Sequence, residues 1–485
     1  MLPTFPNGYH LLLPFSSALL FTAKAPGWKI LVVDKTSMEV ISSTVGMYDI
    51  MERRISIVES LDKKRAPFPD KGVIYLMEAN ETSVNSLVED YANKKALYGP
   101  NVFLFFLQRL PNALLENIKQ CRPLVKRVKA LSEINIDFLA KEERAFTFNM
   151  RNSFAPIYTR QGSGKFEDLI VNKLVTVCAT LNEYPHIRFS KSSKVADGMA
   201  NLFHKRMDEF VASNPTWWYH GGGKDAKQSQ RDRGVLLLLD RADDCMTPLM
   251  HDFHYQAMVM DLLNVVGDRI TTQSETTEDA TETSAKDFLL DEKDELWVEL
   301  RGKHIAQVIE ILSARIRDIM NSSTGGALGG NKEEGGKMSL TDMAAALKAL
   351  PEYREIMSKL SQHMHISHEC MDVFSTESLM DLSEIEQTLA TGQDDEGRSP
   401  KMSEIIDRVE LCLRKMKDPK MRVRLILIAT LSPNGLNFDD RNRLLDAADF
   451  SRSDSQTVEN LKVMGAKMGG QSKTEKKGGG GGFFR

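Results

Sequence analysis

Three groups of residues have the types and spacing that could do chemistry. Gly162-Ser163-Gly164-Lys165 has the ending of a phosphate-binding loop, in which backbone N–H groups cradle phosphates and Lys neutralises them. That loop needs glycine where this chain has Thr159, and Ser or Thr where it has Phe166, so a polar turn is the better reading. Asp240 ends the apolar run Val235 to Leu239 and, with Asp243, could ligate a metal. Paired aspartates of a phosphohydrolase stand two apart on one face of an extended segment, whereas these stand three apart. The alternative is that Asp240 and Arg241 only shape a turn. His363, His365, His368 and Cys370 form the densest set of metal-type ligands. On a helix, residues two apart point about 200° from each other, so only His365 with His368, or His363 with Cys370, share a face. Zinc wants tighter geometry and a supporting shell, which favours ordinary helix-surface histidines. No nucleophile motif appears, and no cofactor or metal is expected. A metal- or nucleotide-dependent phosphotransfer or hydrolytic enzyme using Asp240 and Asp243 stays the alternative function.

The elements that must position these residues change character along the chain. The 485 residues are 42% hydrophobic and 27% charged, with a net charge of −4, so no global basic field invites nucleic acid. Five separated cysteines without a CxxC suit free thiols in a reducing, cytoplasmic setting. Residues 1–27 are apolar in part, but no Lys or Arg precedes the apolar stretch and Pro14 interrupts it, which argues against a signal peptide. From Trp28 to Phe138, apolar runs at Ile30–Val33, Val73–Met77, Val102–Leu107 and Ile134–Leu139 read as buried parallel strands. Helical stretches (Thr82–Lys94 and Pro111–Ile118) separate them, giving an α/β layered domain over 1–134. A second α/β region, 135–247, holds a helix at Phe166–Leu181 and ends in the Val235–Leu239 strand. Thr247 as N-cap and Pro248 at N1 then open a mostly helical part, 248–467. Its helices are expected at Pro248–Met260, Leu296–Met320, Leu340–Leu360, Leu382–Ala390, Met402–Met416 and Met421–Leu431. Polar or Gly-rich linkers are expected at Thr271–Thr283 and Asn321–Gly336, and 468–485 reads as a Gly/Lys-rich flexible tail.

Several long segments carry a resemblance. They are Trp28-Lys29-Ile30-Leu31-Val32-Val33-Asp34, Cys178 to Pro185, Asp240-Arg241 through Pro248-Leu249-Met250-His251-Asp252-Phe253 with Gln256-Ala257-Met258, and Leu289 to Trp297 with Arg301 and His304. On these the chain resembles, from Trp28 to about Gly465, the SM (Sec-one/Munc-eighteen) family of syntaxin-binding SNARE regulators. The resemblance implies a three-domain arch: two α/β domains with parallel sheets, and a helical third domain inserted into the second. In the family the chain returns to domain two after that insertion, so domain two is expected to be C-terminally incomplete here, leaving an open sheet edge.

The resemblance also implies vesicle docking and fusion as the function, without catalysis, with membrane association indirect through a syntaxin-type SNARE. Its syntaxin-binding cavity maps onto Asp34, Glu59 and Lys63, while Glu39, Gly46 and Ala66 depart in charge from the family's animal exocytic pattern. Its pocket for a syntaxin N-terminal peptide maps onto Leu115, Leu131 and Glu133, with Leu115 in place of the usual aromatic. Its SNARE-templating hairpin maps onto 340–360, hinged at Pro351. The residues alone leave rivals open: a helical Glu59–Lys63 pair four apart, core packing for the leucines, and a plain helix–turn–helix with Pro351 at N1.

Overall fold

The computed structural model describes residues 27–44, 46–92, 96–159, 164–219, 232–273, 285–325 and 351–466. They form two compact units that divide between Asp240 and Arg241.

The first unit is built on strands that read as continuous apolar runs. β1 (Lys29–Val33), β3 (Gly72–Met77) and β4 (Val102–Phe106) lie at the centre of a five-stranded sheet of order β2-β1-β3-β4-β5. All its pairings are parallel. One face buries Leu31, Val33, Ile74 and Phe105, and the other buries Ile30, Tyr75, Leu104 and Phe106. Two-sided burial is why these strands carry apolar residues at every position. The edge strands β2 (Ile55–Ser60) and β5 (Val128–Glu133) escape that pattern because they are exposed on alternate or successive residues. The expected strand at Ile134–Leu139 is instead an irregular extension of β5, whose Ile136 and Phe138 are buried and whose Ile136 N–H donates to the Leu107 carbonyl. The crossovers are α1 (Lys35–Thr44), α2 (Met47–Glu52), α3 (Glu81–Ala92), α4 (Asn112–Gln120) and α5 (Arg122–Val125).

The same unit continues through the hairpin β6 (Leu139–Glu142) and β7 (Ala145–Thr147), then α6 (Phe154–Tyr158), α7 (Lys165–Leu181), β8 (His186–Phe189), α8 (Lys194–Ser213) and β9 (Val235–Leu238). β8 and β9 pair in parallel, and Ile187 and Leu236 face the α7–α8 core. The α/β elements up to Asp240 lie in one compact unit, and Arg241 opens the other. Val177 and Leu181 of α7 pack with Ile136 and Phe138, and Lys173 reaches Asp137 at 2.5 Å with both side chains buried. Burial pushes the Asp137 carboxyl up against the opposing pull of Lys173.

The second unit is largely helical: α9 (Tyr255–Leu262), α10 (Glu295–Leu300), α11 (Ile305–Gly325), α12 (Pro351–Thr376), α13 (Leu379–Thr391), α14 (Met402–Lys415), α15 (Pro419–Leu431), α16 (Phe438–Ala447) and α17 (Arg452–Met464). It also holds a small antiparallel sheet, β10 (Val265–Val266), β11 (Arg269–Gln273) and β12 (Ala285–Leu289), where the sequence suggested few strands. Thr271–Gln273 is thus strand rather than linker, and Asn321–Gly325 is helix rather than linker. Pro248 sits in a single 3-10 turn, Thr247–Leu249, and the helix starts only at Tyr255. Tertiary partners take the backbone groups a helix would need: Arg424 donates to the Leu249 carbonyl, and His251 N–H donates to Glu386. The expected helix Leu296–Met320 breaks at 301–304, where the Arg301 and Lys303 carbonyls accept from Gln256 and Tyr255 N–H.

Candidate partner-binding surface

The carboxyl ends of β1 and β2 bring Asp34, Glu59 and Lys63, the residues onto which the resemblance maps a cavity, into one neighbourhood but in different surroundings. Asp34 follows β1 directly and is only 5% exposed. Its carboxylate accepts from Ser37 N–H at 2.9 Å, Glu78 N–H at 2.7 Å and the Ser83 hydroxyl at 2.8 Å. Burial, then the charges of Asp34 and Asp137, push the nearby Glu78 carboxyl up. Glu59 lies on strand β2, so the helical pairing with Lys63 does not form; Glu59 accepts instead from the Tyr98 hydroxyl at 2.5 Å. Lys63 is exposed in the turn after β2. That turn is held from beneath by Arg65, whose guanidinium donates to the Ser60, Leu61 and Lys63 carbonyls. The same guanidinium pairs with both oxygens of Asp90 at 2.6 and 2.7 Å, and both side chains are buried. Bidentate, buried pairing of this kind fixes geometry more than it adds stability.

Sequence reasoning missed Arg65, and it missed α2. Met47, Tyr48 and Met51 all face outward on that helix, Tyr48 at 85% exposure. The available signal was three large apolar residues within a six-residue helix, whose one buried residue is Ile50. Gly46 caps the helix and donates its N–H to Asp49. Glu39 accepts weakly from Asn149, and Ala66 is exposed.

On the opposite edge of the sheet, Leu131 projects from β5 at 39% exposure. Leu115, on α4, is half-buried against the core. Glu133 at the end of β5 accepts from Leu110 N–H at 2.8 Å, which ties the strand to the start of α4. Pro351 is the first described residue of α12, and residues 340–350 of the expected hairpin lie outside the described residues.

Of the residues that could have done chemistry, Asp240 and His363 are held in structural hydrogen bonds. Asp240 accepts from the Tyr158 hydroxyl at 2.6 Å and from the Ser193 hydroxyl at 2.5 Å, and Ser193 in turn caps α8. Asp243 ends a 3-10 turn. Lys165 opens α7, and Gly162 and Ser163 lie outside the described residues. Among the described residues no group of three or more His, Cys, Asp or Glu has metal-holding geometry.

His363 is a core histidine, not a surface one. It takes Tyr255 at Nδ1 and Asp294 at Nε2, at 3.0 and 3.1 Å, and stacks on Trp297. Asp294 also caps α10 by accepting from Leu296 and Trp297 N–H. Burial pushes its carboxyl up, but the His363 bond and charge outweigh that and hold it below the usual carboxylate range. His251 and Glu386 form a second buried pair at 2.8 Å. His251, Asp294 and His363 thus serve as internal joints of the second unit.

The first unit is thus an α/β unit wound outward from β1, and in the second unit buried polar residues such as His363, Asp294, His251 and Glu386 pair with one another. The Sec1 family model matches residues 29–481, and the chain belongs to that family. It is 32% identical to Protein transport protein sec1 of Dictyostelium discoideum over 91% of this chain and 71% of that protein. It is 27% identical to the SNARE-interacting protein KEULE of Arabidopsis thaliana, over 92% of this chain and 66% of the relative. Its fold superposes with a TM-score of 0.82 on a chain of the Unc18–syntaxin 1 complex from Monosiga brevicollis, at 27% identity, covering 97% of this chain and 81% of that one.

Proposed function

We propose that this protein captures a syntaxin-type SNARE and regulates vesicle docking and membrane fusion without catalysis. The observation that carries the proposal is the fold shared, over 97% of this chain and 81% of the other, with a chain of an Unc18–syntaxin 1 complex. The capture surface is the rim of β1 and β2, with Glu59 and Lys63 as contacts, Asp34 beneath them, and the exposed face of α2 alongside. A second contact is an N-terminal peptide of the SNARE at Leu115, Leu131 and Glu133. The chain acts from the cytoplasm and reaches membranes through that partner; among the described residues no helix is long and apolar enough to cross one. In domain terms the reading is 1–134 as domain one, 135–247 as domain two and 248–467 as the helical domain three, with Pro351 as hinge of a SNARE-templating hairpin.

The test is capture of purified cytosolic regions of syntaxin-type SNAREs from the same organism. Reversing both charges, Glu59→Lys with Lys63→Glu, is expected to slow association and flatten its salt dependence, as rim charges do. Unchanged rates and salt dependence would remove this surface from the proposal.

A further inference from the structure

We propose that Asp34 is a resident anion: its carboxylate fills the ligand crevice of the five-stranded sheet and thereby positions the partner-binding surface without touching the partner. The proposal rests on the function above. From β1 the chain winds outward to β2 on one side and to β3, β4 and β5 on the other, so the sheet has its switch point between β1 and β3. Open α/β sheets bind ligands there, outside the carboxyl ends of the strands, and anions sit on the helix starts that follow.

Here Val33 and Leu76 pair near those ends, and Asp34 and Glu78 come next in the chain beyond β1 and β3. The donors that would hold a ligand's anion converge on the protein's own carboxylate. They are Ser37 N–H in the first turn of α1, Glu78 N–H after β3, and the Ser83 hydroxyl in the first turn of α3. Three bonds from three segments fix the start of α1 relative to β3 and α3. α1 carries Met38 outward, and it leads through 45 and 46 into α2 with its exposed Tyr48. At 5% exposure Asp34 is poorly placed to meet a partner side chain. Removing it would leave buried donors without an acceptor, the costly kind of hydrogen-bond loss.

The experiment uses the full chain, a purified syntaxin-type SNARE cytosolic region, and formate as a carboxylate the size of the group removed. Asp34→Ala is expected to weaken capture about tenfold or more. Formate, but not equal chloride, is expected to restore both capture and the thermal midpoint saturably, and to do neither in the wild type. Ser37→Ala is the control, because the Ser37 hydroxyl is buried without a hydrogen-bond partner and its loss removes no bond to Asp34. Absence of a formate-specific recovery overturns the resident-anion role. Capture by Asp34→Ala equal to wild type overturns the positioning role. If Asp34→Ala does not fold, Ser83→Ala decides: weaker capture than Ser37→Ala supports the proposal, and equality overturns it. A wild-type chain that captures no SNARE overturns the proposed function, while the thermal response to formate still decides the chemistry of the crevice.

Discussion

The first unit contains two parallel sheets that sequence alone makes look alike, and they live in different surroundings. In the five-stranded sheet, Leu104 of β4 has no exposed surface and helices and loops cover both faces. In the β8–β9 pair, Leu236 packs on α7 and α8, but Leu237 on the other face is 51% exposed, with Val235 and Leu239 exposed beside it. Both strands are written in the same apolar alphabet, so an apolar run announces a strand suited to two-sided cover without supplying that cover. Among the described residues, β9 pairs only with β8, so its other edge carries unpaired backbone groups of the kind that invite another strand, beside the apolar face of Leu237.

Four substitutions test how far that contrast reaches. Lys173→Ala should have the largest effect, since it leaves buried Asp137 unpaired between the two sheets; a loss of about 3–5 kcal/mol is expected in denaturant unfolding. Loss of hydrogen-exchange protection in both sheets together would establish them as one cooperative body, and loss in α7, β8, α8 and β9 alone would separate them. Leu104→Ala comes next, at about 2–5 kcal/mol for a cavity in a packed core. Leu237→Ser should change stability by no more than about 0.5 kcal/mol while raising solubility in light scattering. A cost for Leu237→Ser rivalling that of Leu104→Ala would mean the outer face of β9 is covered after all. Smallest in stability is Leu131→Lys on edge strand β5, expected within about 0.5 kcal/mol while abolishing capture of a SNARE N-terminal peptide. If that variant unfolds instead, Leu131 belongs to the core.

Legibility followed burial. The central strands β1, β3 and β4 and helices such as α7 and α14 stood out because their cover is complete or strictly one-sided, which writes a clean period into the residues. β2 and β5 were hidden because an edge strand mixes apolar and charged residues, as Ile55-Ser56-Ile57-Val58-Glu59 does. Pro248 misled for another reason: its local preference for a helix start is real, but Arg424 and Glu386 claim the backbone that follows. The candidate site was legible only through the resemblance. Nothing in the spacing of Glu59, Lys63 and Asp34 reveals that Lys63 is exposed while Asp34 is buried, because the bonds Tyr98–Glu59, Ser83–Asp34 and Arg65–Asp90 span long stretches of chain.

The buried chain Tyr255–His363–Asp294 bears on how proteins of this kind can diverge. Each member satisfies its neighbour, and Asp294 also caps a helix, so altering one strands a polar group in the interior. Drift at any of these positions is tolerated only when a compensating change arrives with it, which makes the three behave as one unit of inheritance. Tyr48, Leu131 and Lys63 carry no such obligation and are free to be retuned singly. Constraint is therefore concentrated in the helical interior, while exposed residues at the sheet edges can change without disturbing it.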